Sequence, residues 1–252
     1  MLYIILYKYK LTIEYNGHYF SGWQRQKNAV SVQKTLEDAI SVFTKKPAKI
    51  LGAGRTDAGV HAVAQVAHFE SEEELDCWAL QKCINNNVND LPVVVNDLQR
   101  VEDDFHALVS AKSREYIYKI INRPFVLTFQ KHLYYREKFP MDLEILEKSA
   151  KVFIGTHDFS SFRSAKCQSN SPVKTIFDVS VGRESYTDAI VVKFHANAFL
   201  QHQVRNMVSA MIYASIGKFS LEYLEYLMEV KDRTKSAPTA PPDGLYLYRI
   251  NY

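Results

Sequence analysis

Gly54-Arg55-Thr56-Asp57-Ala58-Gly59-Val60-His61 places an arginine, a carboxylate and an imidazole in one short stretch, and Gly52 lies just upstream. Glycine accepts left-handed or crowded backbone, so a loop bracketed by Gly54 and Gly59 can carry its main chain close to a ligand. Such a loop holds Arg55, Asp57 and His61 out from a scaffold instead of packing them into a core. The same residues also describe a surface turn in which Asp57 caps its own backbone.

A second charged group stands out by its surroundings. Leu200 to Ile216 reads as a helix whose Val204, Met207, Val208, Met211 and Ile212 cover much of its surface, and Arg205 sits within it. A guanidinium among apolar side chains needs a counter-charge, because burying an unpaired charge is costly; the alternative is an arginine that reaches solvent from the helix edge. Charge is spread unevenly along the rest of the chain. Glu70 to Asp104 holds ten acids and two bases, a net of −8, whereas Lys112 to Lys138 holds seven bases and two acids, a net of +5. The basic stretch also carries Tyr116, Tyr118, Tyr134 and Tyr135, a combination that suits a phosphate backbone with stacked bases, or else forms an ordinary solvated face.

The chain's 252 residues suffice for two ordinary domains with a full core. Cys77, Cys83 and Cys167 are odd in number and form no Cys-x-x-Cys pair, so neither a disulfide framework nor a metal site is expected. The apolar start Met1 to Tyr7 lacks a basic leader and a small-residue cleavage site and is too short to span a bilayer. It reads as the beginning of a strand over residues 1–15, and the expected location is a reducing cytoplasm.

The elements that must position these groups follow from periodicity. After Asn16-Gly17 and an aromatic loop through Trp23, Ser31 starts a helix with Val32, Leu36, Ala39, Ile40 and Phe43 at helical spacing. Residues 62–69 read as the strand leaving the Asp57 loop. Glu72 to Asn85 reads as an acidic helix burying Leu75, Trp78, Ala79 and Ile84, followed by a strand over 93–101. The pattern then restarts, with a strand over 113–122 that puts Tyr116 and Tyr118 on one face. Next come a helix over 142–154 ended by Gly155, a long polar loop over 156–171, strands over 173–182 and 189–195, the Arg205 helix, a short helix over 221–230 and a last strand from Leu245. The expected class is α+β: two related halves, 1–104 and 105–252, around a mostly antiparallel central sheet.

Several stretches together resemble a known family in its own order. They are Tyr15-Asn16-Gly17 with Gly22-Trp23-Gln24-Arg25-Gln26, Ser31 to Glu37, the Asp57 loop, Phe105-His106-Ala107 with Ser113 to Tyr118, Asp158 to Arg163, Phe199 to Met207, and Lys231 to Thr234 with Gly244 to Leu247. The family is the TruA type of tRNA pseudouridine synthase, and the resemblance covers nearly the whole chain. It implies the pseudouridine synthase fold, an N-terminal half that carries the catalytic loop, and a C-terminal half that completes the active site and RNA groove. The implied activity is isomerisation of uridines 38, 39 and 40 in the anticodon stem-loop of tRNA by a homodimer. That chemistry breaks the bond at N1 and makes one to C5, and it requires no cofactor.

By the same resemblance Asp57 is the nucleophile or base beside the ribose, Arg205 its counter-ion and Tyr116 the tyrosine that stacks on the target base. Leu245 lines the uracil pocket, and Arg55 fills the space that a flipped base leaves. Arg25 and Arg163, with Lys166 and Lys174, are candidates for phosphate contacts. One departure is visible: Leu108 stands where the family usually has arginine. A noncatalytic tRNA-binding protein or chaperone of the same fold is the competing reading, and a relative that modifies another uridine is a second. Asp57, Tyr116 and Arg205 together argue for the enzyme, since a module released from catalysis has no chemical reason to keep all three.

Overall fold

A computed structural model describes residues 6–252. The strand expected over residues 1–15 is observed as β1, Tyr7–Tyr15, and the part of that expectation covering residues 1–5 lies outside the described residues. The chain forms two compact units, one of residues 1–112 with Leu247–Tyr252 and one of residues 113–246.

In the first unit, β1 buries Tyr9, Leu11, Ile13 and Tyr15 and turns the intervening residues away, as the two-residue period of a strand dictates. Helix α1, Val32–Thr44, begins where Ser31 accepts a hydrogen bond from the Lys34 amide, and its buried stripe is Val32, Leu36, Ala39 and Ile40. Two-residue β2, Leu51–Gly52, leads into the Asp57 loop, and β3, His61–Ser71, leaves it. Helix α2, Cys77–Asn87, and β4, Val93–Val101, follow. The strand order is β4-β1-β3, β2 also pairs with β3, and these pairings are antiparallel. Tyr9 lies opposite Phe69 in register, and their rings stack at 5.2 Å.

Helix α2 differs from the expectation at its start and in its phase. Asp76 caps it through the Ala79 amide, so residues 72–76 are not helical. The buried pair is Leu80 and Ile84, one turn apart, while Trp78 is 69% exposed with Lys82 Nζ lying 5.0 Å from its ring centre. The aromatic side chain covers the lysine instead of entering the core.

In the second unit, β5, Ser113–Asn122, is followed by the short β6, Tyr135–Glu137, which pairs with it in parallel. Asp142 caps helix α3, Leu143–Lys151. The segment expected to be a long polar loop contains β7, Gly155–Asp158, which pairs with β8, Val173–Arg183, so Gly155 opens a strand. β9, Ile190–Ala196, buries Ile190, Val192, Phe194 and Ala196 in alternation. Helices α4, Gln203–Ser215, and α5, Leu221–Val230, precede β10, Leu245–Asn251. The strand order here is β5-β9-β8-β7, antiparallel apart from β6. The class is α+β with a mostly antiparallel sheet. Among the described residues no helix is long and apolar enough to cross a membrane.

Candidate functional site

The Asp57 loop is fastened from several sides within the first unit. The Ala53 amide donates to the Val66 carbonyl at 2.8 Å, the Trp23 amide to the Thr56 carbonyl at 3.1 Å and Gln65 Nε2 to the Gly54 carbonyl at 3.0 Å. Tyr15 and Thr56 share a hydroxyl–hydroxyl hydrogen bond of 2.7 Å in the interior. The Val60 amide closes a turn onto the Asp57 carbonyl at 3.1 Å, which leaves the Asp57 side chain half-buried and Arg55 exposed. His61 is buried and accepts from the Gly17 amide through Nδ1 at 3.1 Å. That bond makes Nδ1 an acceptor and closes this side of the ring to a phosphate.

Two glycines outside the loop allow this fastening. A Cβ on Gly22, whose φ is +93°, would meet the Thr56 carbonyl oxygen at 2.7 Å. A Cβ on Gly17 would lie 2.0 Å from the Val60 carbonyl oxygen. Gly54, by contrast, has open space where a side chain would point. The loop is therefore shaped less by Gly54 than by the neighbouring Asn16-Gly17 and Gly22-Trp23 turns, which lie against its backbone.

Arg25 stands at the end of a buried polar network. Its Nη1 donates to Glu37 Oε2 at 3.0 Å, and Glu37 is buried on α1. Glu37 Oε1 also accepts from Gln33 Nε2 at 2.9 Å and from the Ile50 amide at 3.1 Å. Gln33 Oε1 in turn accepts from Gln24 Nε2 and the Arg25 amide. Arg25 is thus already committed on one side to a carboxylate, with the rest of its side chain exposed. Gln33 and Glu37 lie in the Ser31 to Glu37 stretch but carry no assigned role in the sequence, where the visible signal is a polar pair spaced i,i+4 on an otherwise apolar stripe.

In the second unit, Tyr116 is half-buried on β5, opposite Phe194 in register, with its ring edge-on to Phe199 at 5.2 Å. Tyr118, two residues on, is fully buried and donates to the Pro241 carbonyl at 2.9 Å. Burial pushes its phenol well above the ordinary range, with Tyr135 adding to the effect and Arg205 opposing it. Arg205 itself is half-buried near the start of α4, and its Nε donates to the Ala240 carbonyl at 2.7 Å. The loop 240–244 is therefore held by the arginine and by Tyr118, and it ends at buried Leu245, where β10 begins. Arg163 donates to the Cys167 carbonyl at 3.1 Å, bracing its own loop. Lys174 donates to the Ser171 and Val173 carbonyls, and burial lowers its pKa, while Lys166 is exposed.

Three separate stretches of this unit meet at Asn206, which is buried. Its Nδ2 donates to the Phe162 carbonyl at 2.7 Å, and its Oδ1 accepts from Arg233 Nη2 at 3.0 Å and from Thr239 Oγ1 at 2.8 Å. The tyrosines of the basic stretch behave differently from an open stacking surface. Tyr118 is buried, Tyr134 donates to Glu184 Oε2 at 2.6 Å and Tyr135 donates to Glu137 Oε2 at 2.9 Å. These phenols are used internally, while Tyr116 packs edge-on to Phe199.

A family model described as tRNA pseudouridine synthase matches residues 12–109 and 149–252. The tRNA pseudouridine synthase A of Maricaulis maris is 42% identical over 245 residues, covering 97% of this chain and 98% of that protein. Its namesake from Ehrlichia canis is 42% identical over 246 residues, covering 97% and 100%, and that of Rhodospirillum rubrum is 40% identical over 245 residues, covering 97% and 87%.

Proposed function

The chain belongs to the tRNA pseudouridine synthase family and is an isomerase of tRNA uridine, and from that premise we propose that it modifies uridines 38, 39 and 40 of the anticodon stem-loop with Asp57 as nucleophile or base. The observation that carries the assignment of Asp57 is the fastening of its loop. Backbone hydrogen bonds at Ala53, Thr56 and Val60, with the buried Tyr15–Thr56 contact, hold a half-buried carboxylate on a fixed main chain. Positioning of that kind is what a reaction at a single sugar carbon demands.

In this reading the Asp57 half, residues 1–104, is the catalytic half, and 105–252 supplies the rest of the active site and RNA groove. The carboxylate acts at the ribose while the bond from C1′ to N1 breaks, and the released uracil turns so that C5 bonds to C1′, C5 giving up its proton to a base and N1 ending protonated. Tyr116 stacks on that base and Leu245 borders it. Arg205 supplies the positive charge that balances the Asp57 carboxylate. Arg55, exposed on the loop, enters the helix as the uridine leaves, which offsets part of the few kcal/mol that flipping costs. Arg25 and Arg163 contact phosphate with the donors that Glu37 and Cys167 leave over. The enzyme works as a cytoplasmic homodimer.

The test is to incubate unmodified tRNA with the wild type and with Asp57→Ala and to map pseudouridine along the RNA. Product at positions 38 to 40 from the wild type alone, with tRNA affinity of the variant retained, is the expected result. Product at other positions only would overturn the site assignment, and an active Asp57→Ala would overturn the role of Asp57.

A further inference from the structure

Between β5 and β6 the chain makes a loop whose tip shows large apolar side chains to solvent: Phe125 is 77% exposed and Phe129 is 93% exposed. Such side chains are ordinarily withdrawn from water, and a cluster of them at a loop tip marks a contact surface. The tip is held in place from below. Arg123 Nη2 donates to the Val126 carbonyl at 2.7 Å and Arg136 Nη1 to the Pro124 carbonyl at 2.8 Å. At its far end, Tyr246 donates to the Leu133 carbonyl at 2.7 Å. The aromatic tip therefore stands on two guanidinium groups and on braced backbone.

Its own exposed charges are cationic, and at its end His132 meets Asp243 Oδ1 at 3.2 Å. The basic stretch 112–138 contains two acids, Glu115 and Glu137, and both are buried. Glu137 is turned inward to accept from Tyr135 and from the Phe139 amide. Among what this stretch offers to solvent are Lys131 and Lys138 with the two phenylalanines of the tip.

We propose that the 123–132 loop is an RNA-docking surface, on which unstacked bases of the tRNA lie against Phe125 and Phe129 while Lys131 meets the phosphate backbone. Exposed aromatic faces beside cations are the arrangement that binds single-stranded nucleic acid, because any base offers a π-face and every linkage a charge. A second copy of the chain fits less well, because lysine is depleted at protein interfaces and Lys131 stands exposed within the loop. The inference rests on tRNA as the family substrate and is independent of which uridine is modified.

The experiment compares tRNA binding by wild type, a Phe125→Ala/Phe129→Ala double variant and Lys131→Gln across a salt series. Stacking losses of this kind raise Kd by roughly tenfold or more for the double variant. Its salt dependence stays as steep as that of the wild type, since no phosphate contact is removed, while Lys131→Gln gives a shallower slope. Phe129→Trp, whose emission over the background of Trp23 and Trp78 is quenched on adding tRNA, shows stacking directly. The proposal is overturned if the double variant binds tRNA within about twofold of the wild type, a difference too small for a lost stacking contact. It is equally overturned if that variant loses a self-association seen by sedimentation while its tRNA affinity holds, which would give the surface to a second copy. Product mapped at an unexpected uridine would change the site assignment and leave this inference standing.

Discussion

Glu184→Gln removes one negative charge from the second unit and preserves the side chain's shape. Glu184 follows β8 directly, and its carboxylate receives Lys119 Nζ at 2.9 Å, the Tyr134 hydroxyl at 2.6 Å and the Thr187 hydroxyl. Burial works against the ionised form, but the bonds from Thr187, Tyr134 and Lys119 outweigh it and hold the pKa at about 2, against the ordinary 4.5. At about 1.4 kcal/mol for each pH unit, that gap is worth roughly 3 kcal/mol of stability. The glutamate side chain is 27% exposed, so solvent screening takes a share and leaves roughly 2 kcal/mol. Because the folded pKa is depressed, the contribution is complete above 4.5 and is lost as pH falls toward about 2.

The readout has to report on the second unit. Both tryptophans, Trp23 and Trp78, belong to the first, so their emission is blind to this change. Amide hydrogen exchange in β5 and β9 measures the local opening free energy directly. At pH 7 the variant should open more easily by roughly 2 kcal/mol, and at pH about 3 the difference from wild type should shrink to less than half. An opening free energy within about 0.5 kcal/mol of wild type at pH 7 would refute the reasoning, since that is the scatter of neutral surface substitutions. A difference of the same size at both pH values would show that packing, not charge, was lost.

Three further outcomes follow from the same kind of reading. Tyr134, pushed up to about 12 by burial and by its bond to Glu184, favours folding fully below the ordinary value of 10 and loses that contribution between 10 and about 12; in Glu184→Gln its phenol should ionise at lower pH in an ultraviolet titration. His68 is held below its ordinary value by burial and then by His106, and its Nδ1 accepts from the Ala107 amide at 3.2 Å. The first unit should therefore lose stability as pH drops below about 6.5, a dependence that urea unfolding followed by tryptophan emission should find weakened in His68→Asn. Gly17→Ala drives a methyl against the Val60 carbonyl and should cost about 1–3 kcal/mol by overpacking. Its activity loss should exceed its loss of tRNA affinity, as measured by product formation beside a binding curve.

Much of the framework was legible because it depends on local rules. The alternation of Tyr9, Leu11, Ile13 and Tyr15 identifies β1 by itself, and serine or aspartate before an apolar period marks the starts of α1 and α3. What was not legible depends on partners distant in the chain. β7 is a polar Gly-Thr-His-Asp that becomes a strand because β8 lies beside it, and β6 is three residues long and exists through β5. Amphipathic spacing over Glu72 to Asn85 puts Trp78 on the buried side with Leu75, Ala79 and Ile84, but the helix starts only after the cap at Asp76, and Leu80 and Ile84 face inward. At the candidate site, the prominence of Asp57 could be read in one line of sequence. The role of Gly17 and Gly22 could not, because their neighbours are the carbonyls of Val60 and Thr56, which lie 43 and 34 residues later in the chain.

The two buried polar hubs show how loops can be held firmly enough for chemistry. In the first unit Gln33 and Glu37 bind Arg25 and the main chain at Arg25 and Ile50; in the second Asn206 binds Phe162, Arg233 and Thr239. Apolar contacts would bury these segments equally well, but they tolerate sliding, whereas a hydrogen bond fails beyond a few tenths of an ångström. A buried acceptor left without its donor costs about 1–3 kcal/mol, so each hub penalises the displaced loop as well as stabilising the correct one. The charged member sits at the solvent side in the first hub, where Arg25 is 54% exposed, and this keeps the desolvation cost of Glu37 in check. Loops tied in this manner can carry half-exposed charged groups such as Arg25 and Arg163 without collapsing around them, which is the condition a polyanionic substrate sets.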